Sequence, residues 1–396
     1  MKKGIILVIG LLFLLATEIL KVYFIMPFPG SQKSNTIDIA YFIHTHIWLL
    51  RIIGIIITII PLLYFLRKGR QWQKAVLIIT LLFYGLIVYA FNFKFLADKM
   101  FHQPIIKSFV TAAADTADKQ RLIIGVAINN EAKAYPVEII GYHHQVRDTV
   151  GGIPVMITYC TVCRTGRAYS PFINNHAENF RLVGMDHFNA MFEDATTKSW
   201  WQQATGVAIA GPLKGSVLKE IPSQQMTLNS WMNLHPNTLV LQPDKNFTAK
   251  YDSLKGYDEG TLASSLEKRD TASWKFKSWV VGIKDNNNAK AYDWNELLQK
   301  RVIEDTIGYT NILLCIDKDN KTFYAFNTHT GDTTVLHFNY DAVTGMLKDL
   351  NTNSSWKLNG ICTDGALKGT VLDMLPAYQE FWHSWQTFHP NTTVYK

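Results

Sequence analysis

Three long apolar stretches in the first hundred residues limit the fold of this chain more than any other feature. Gly4 to Met26, Ile47 to Leu66 and Ala75 to Leu96 are each long enough to cross a bilayer. Inside hydrocarbon the backbone finds no water to bond, so each is expected to be a helix, giving a three-helix transmembrane anchor over residues 1–100. Glu18 and Lys21 interrupt the first stretch one turn apart and are expected to pair there, while Arg51 is expected to snorkel to the membrane surface. A cleaved signal peptide is the alternative for the first stretch, because Lys2-Lys3 precedes it, but no small-x-small cleavage site follows.

Charge sets the expected orientation and narrows the partners. Lys2 and Lys3 precede the first stretch, and Arg67, Lys68, Arg70 and Lys74 crowd the loop between the second and third. Both places should face the cytoplasm, which leaves everything after Leu96 on the periplasmic or other extracytoplasmic side of a cell (inner) membrane. The formal net charge is +7, yet residues 1–100 hold 11 Lys and Arg against 3 Asp and Glu, leaving 28 against 29 for the remainder. The basic surplus belongs to the anchor, and a nucleic-acid partner is not expected. His44 and His46 at the outer membrane edge, with His102 nearby in sequence, are weighed as metal or haem ligands against ordinary interfacial residues.

Beyond a linker at 101–120 the chain repeats itself. LIIGVAINNEAKAY (Leu122 to Tyr135) returns as VVGIKDNNNAKAY (Val280 to Tyr292), and DTVG at 148–151 as DTIG at 305–308. GPLKGSVL at 211–218 returns at 365–372, and WMNLHPNT (Trp231 to Thr238) as WQTFHPNT (Trp385 to Thr392). Each copy reads as short strands and turns with few helices, so the class expected is α+β: the anchor, a first repeat at 121–243, a linker at 244–275, and a second, degenerate repeat at 276–396. Asn129-Asn130 is expected to turn a hairpin, and Leu228 to Leu234 to form a short helix.

The chemistry concentrates at ITYCTVCRTG, residues 157–166, which holds the CxxC motif Cys160-Cys163. Thr165-Gly166 follows too closely for a long helix, so the thiols are expected on a turn between two strands. Two thiols so placed can hold a metal with further ligands, cycle between dithiol and disulfide, or form a static clip. The second copy has Asp317 and Asn320 in their places and Lys300 in place of His143, so neither the thiols nor His143 serve the shared fold. His143, or its neighbour His144, is the expected third ligand or thiol-activating base, and His187 a fourth ligand; zinc or copper would suit such a set. His235 and His389, Trp231 and Trp385, and Trp200 and Trp356 occur twice and read as structure. Cys315 and Cys362 are left over, as a disulfide or as two buried thiols.

Residues from about Leu122 to Leu241 resemble the domain of unknown function 3179 family. Its pattern is a His before an Asp-x-Val-Gly-Gly turn, then Tyr-Cys-Pro-x-Cys-x-Thr-Gly, Trp, Thr-Gly-x-Ala-x-x-Gly-Pro and His-Pro-x-Thr. Here these look like His143, Asp148 to Gly152, Tyr159 to Gly166, Trp200, Thr205 to Pro212 and His235 to Thr238, with Thr161 replacing the usual Pro. The resemblance implies no settled activity. Three functions stay open: a metal site of Cys160, Cys163 and His143, a thiol–disulfide oxidoreductase using Cys160 or Cys163 as nucleophile on an extracytoplasmic protein thiol partner, and a non-catalytic binding or scaffolding protein.

Overall fold

The computed structural model describes residues 2–286, 288–329 and 334–396. Asn287, within the repeated sequence Val280 to Tyr292, lies outside them. The chain forms two compact units, one of Met1–His102, Glu178–Gln202 and Val207–Val217, the other of Gln103–Ala177, Gln203–Gly206 and Leu218–Lys396.

In the first unit the apolar stretches are helices Lys2–Tyr23, Ile47–Lys68 and Gln71–Phe93, each long and apolar enough to cross a membrane. Small residues let the first two approach: a Cβ on Gly10 would lie 2.3 Å from Thr58 Oγ1, and one on Gly54 2.4 Å from Leu14 Cδ2. The charge pairing differs from the expectation. Glu18 is gripped by Arg51 through Nε at 2.6 Å and Nη2 at 2.8 Å, and Asn92 donates to it at 2.8 Å. Lys21 bonds Asn92 instead, at 2.6 Å. Arg51 thus turns inward rather than snorkelling, because a fully buried carboxylate needs a forked donor more than the cation needs water.

The same unit carries a four-stranded antiparallel sheet in the order Ala208–Ala210, Trp200–Gln202, Asn189–Asp194, Phe180–Asp186. It packs on the segment that follows the first long helix: Met185 N–H donates to Ile25 O at 2.7 Å, and Gly184 has no room for a Cβ, which would sit 2.2 Å from that oxygen. His44, in the short helix Ile37–Thr45, lies 3.2 Å from Arg181 and edge-on to Trp200.

The second unit runs twice through one order of elements. Hairpin Leu122–Ile128/Glu131–Pro136, helix Val137–His143, then Gln145–Val150, Ile153–Cys160 and Thr165–Tyr169 are followed much later by Trp279–Asp285/Asn288–Asp293, helix Trp294–Lys300, then Val302–Ile307, Thr310–Ile316 and Phe323–Asn327. The helices end alike on a residue with positive φ, His144 at 60° and Arg301 at 66°. Asn129 and Asn130, at φ 48° and 66°, make the expected hairpin turn, with Ile128 opposite Glu131. Helix Leu228–Leu234 forms as expected, capped by the Thr227 side chain. The main core joins both runs: Ile123, Met226 and Trp231 pack with Leu313, Phe326, Trp356 and Cys362.

Candidate functional site

The CxxC lies on the expected strand–turn–strand. Strand Ile153–Cys160 pairs antiparallel with Thr165–Tyr169, Cys160 faces Thr165, and Cys163 N–H returns to Cys160 O at 3.3 Å. Arg164 takes φ 56° to close the turn. Both cysteines are buried, as are Cys315 and Cys362, and none of the four is in a disulfide, so the expected alternative of a Cys315–Cys362 disulfide is not present.

Residues far along the chain wall the turn. Lys277 Nζ donates to Val162 O, and its ammonium also lies 4.5 Å from the Phe381 ring centre. Phe381 N–H donates to Cys163 O at 3.0 Å, and His383 Nε2 approaches Val162 O at 3.3 Å. Phe276 stacks on the His383 ring with centres 4.3 Å apart. Thr165 and Ser384 hydroxyls meet at 3.2 Å, and Tyr257 OH donates to Thr161 O at 2.9 Å. A buried ion pair pins the two strands: Arg167 Nη2 to Glu380 Oε1 at 2.6 Å. The contact recurs in mirror form, since Thr322, the counterpart of Thr165, receives the Thr227 N–H at 3.0 Å, and Asp319 in that turn accepts from Thr227 and Ser230 hydroxyls at 2.8 and 3.2 Å.

Burial dominates the electrostatics. It pushes the Cys163 thiol well above its ordinary value, the bond to and charge of Cys160 add to that, and Lys277 and the Ser384 hydroxyl oppose it. Burial likewise pushes Lys277 down, opposed by Cys163, Cys160 and Glu267. His383 falls to about 3, through burial and then the neighbouring Lys277, and stays neutral at pH 7. Burial thus holds the Cys163 thiol protonated at pH 7.

The histidines are placed differently from one another. His143 is fully buried, with Nε2 2.7 Å from Tyr251 OH and the ring against Tyr142, Phe247 and Tyr251. His144 is buried beside it and falls to about 4 through burial. His187 belongs to the other compact unit and pairs with Asp186 at 2.6 Å, which raises it. Among the described residues no group of three or more His, Cys, Asp or Glu gathers to hold a metal ion.

The duplicated residues act as framework. His235 packs tilted on Trp231 and His389 stacks on Trp385, at 4.1 and 3.8 Å between ring centres, and the indole N–H groups donate to Thr238 and Thr392 at 2.8 Å. One pairing shifts by a residue. Asp194 accepts from the Thr197 hydroxyl, Ser199 N–H and Trp201 indole at 2.7, 3.1 and 2.9 Å, and Asp349 from Thr352, Ser354 and Trp356 at 2.9, 3.1 and 2.9 Å. Trp201, not Trp200, is the counterpart of Trp356.

Residues 102–392 match the sequence family described as a protein of unknown function, DUF3179. No curated protein and no solved structure matches the chain.

Proposed function

The chain belongs to the DUF3179 family of proteins of unknown function, and on that premise we propose that it is a membrane-anchored thiol–disulfide oxidoreductase acting through Cys160 and Cys163. The observation that carries this reading is the pair of buried thiols across one turn, with the Lys277 ammonium on the intervening Val162 carbonyl and the Ser384 hydroxyl on Thr165 beside them. In the step proposed, one thiol gives up its proton and its sulfur attacks a substrate disulfide, R–S–S–R. A mixed disulfide forms and one R–SH leaves; the second cysteine then attacks, releasing the other R–SH and closing Cys160–Cys163. Two electrons and two protons pass from the dithiol to the substrate. Lys277 is positioned to favour the thiolate against burial.

Residues 121–243 and 276–396 read as copies of one domain. In this reading the second copy lost its thiols and became the wall of the first copy's site, which is why Phe381, His383 and Ser384 meet the cysteine turn. The positions of Lys2, Lys3, Arg67, Lys68, Arg70 and Lys74 support a reading in which both copies lie on the extracytoplasmic side, where disulfide substrates persist.

The test is trapping. In membranes carrying Cys163→Ser or Cys160→Ser, one of the two variants should accumulate a mixed disulfide with a protein or small thiol, reversed by reductant. Absence of any adduct in both, with full thiol reactivity retained, would remove the redox reading; stoichiometric zinc or copper lost with the cysteines would replace it by a metal site.

A further inference from the structure

Beside the cysteine turn lies a group of polar atoms that thiol exchange does not use. Arg164, 1% exposed, follows Cys163 in sequence and lays its guanidinium carbon 3.8 Å from the Trp279 ring centre. Its donors reach Gln379 Oε1 at 2.8 Å, Tyr257 O at 3.2 Å and Asp258 O at 3.4 Å. Arg269 brings a second guanidinium carbon to 4.0 Å from the same ring and donates to Asn295 Oδ1 at 2.8 Å. Every one of these acceptors is an uncharged amide or carbonyl oxygen. The nearby carboxylate, Asp258, accepts the Leu122 N–H at 2.7 Å through Oδ2.

Unmet hydrogen-bonding capacity is concentrated here. Arg269 Nε and Trp279 Nε1 are buried donors without a partner, and Asp258 Oδ1 is a buried acceptor without one. Two guanidinium charges against one indole repel each other, and leaving two N–H donors unmade out of water is costly. Gly260 makes the approach feasible, since a Cβ there would stand 2.7 Å from Arg269 Cβ and 2.8 Å from Trp279 Cζ2. Asp258 beside Arg164 and Asp293 beside Arg269 offset part of that charge but leave the two donors unmet. An oxyanion suits those donors, because a guanidinium fork and an indole N–H both favour oxygen acceptors.

We infer that Arg164, Arg269 and Trp279 form a binding site for a small oxyanion immediately beside the CxxC turn. The site stands on these contacts alone and does not depend on the redox reading.

The full chain in detergent is titrated calorimetrically with sulfate, phosphate and acetate, each exchanged against chloride at constant ionic strength. One saturable site per chain is expected for at least one of them, and the preferred ion separates a tetrahedral oxyanion from a carboxylate. Arg269→Gln should weaken it about tenfold or more, and Arg269→Lys, which keeps the charge but loses the fork, by less. Near-UV circular dichroism checks the fold, and if the Gln variant does not fold the Lys variant decides. Cys160→Ser should leave the affinity unchanged, so failure of the thiol chemistry and failure of the anion site are read separately. No saturable heat with any of the three ions, or wild-type affinity in folded Arg269 variants, would overturn the inference.

Discussion

Single residues decide whether the buried dithiol can react. Burial pushes Cys163 up and the charge of Lys277, seated on Val162 O, opposes it, so Lys277→Met should slow alkylation of the CxxC by about tenfold, the equivalent of one pKa unit. The check is the iodoacetamide rate of the full chain from pH 7 to 9, which should rise throughout in the wild type because the thiol's pKa lies above that window. The residues that matter most here, Lys277 and His383, were hidden from the sequence for a definite reason. Comparing the copies exposed what the first had and the second lacked; Lys277 and His383 are the reverse case, standing opposite Gln120 and Asn229. The histidines also set an acid limit. His144 at about 4 and His383 at about 3 are depressed below the ordinary 6.5, so the unfolded chain binds more protons as pH falls. Their contribution is present above pH 6.5 and lost below it, by up to about 1.4 kcal/mol per pH unit for each group. Asp258, raised to about 6 by burial, works in the opposite direction. Thermal melts from pH 7 to 4.5 should show a shallower loss in His383→Asn than in the wild type; equal slopes would mean His383 does not titrate on unfolding.

At the level of elements, turn chemistry was the most legible part of the sequence. Asn129-Asn130 and the run Thr165-Gly166 after the cysteines specified hairpins because few residues tolerate those backbone angles or break a helix so near a strand. Repetition supplied the framework, and the glycines in it have a measurable job. A Cβ on Gly125 would stand 2.5 Å from Trp231 and one on Gly282 2.2 Å from Trp385, so alanine at either place should cost about 1–3 kcal/mol of unfolding free energy. Contacts between elements were not legible, since nothing local says that Arg167 will meet Glu380 more than two hundred residues away. That pair is buried on both sides, and Glu380→Gln should destabilise the unit by about 3–5 kcal/mol by stranding the guanidinium. A chemical-denaturation midpoint unchanged by that substitution would show that the pair does not hold the wall against the cysteine strand.

For the whole molecule, three helices long and apolar enough to cross a membrane were legible from the sequence, but the pairing inside the bundle was not. Glu18 and Lys21 are neighbours in sequence, and local spacing favoured their pairing; the three-helix assembly instead offered Glu18 a forked partner in Arg51 and a bridge through Asn92. Arg51→Leu should therefore lower the melting temperature of the detergent-solubilised chain and its yield in membranes, whereas Lys21→Met should have the smaller effect. The joining segment that sequence composition suggested was a linker also proved to be part of the site, with Tyr251 on His143 and Tyr257 on the cysteine turn. The central claim is that Cys160 and Cys163 act as one reversible two-electron pair. It is tested most directly by equilibrating the full chain in detergent across a series of thiol redox buffers, quenching by alkylation, and weighing the peptides. The two cysteines should lose alkylation together, with a single two-electron midpoint between about −300 and −120 mV, while Cys315 and Cys362 stay reduced. Cysteines that alkylate independently, or a pair that stays reduced across the whole series, would contradict it.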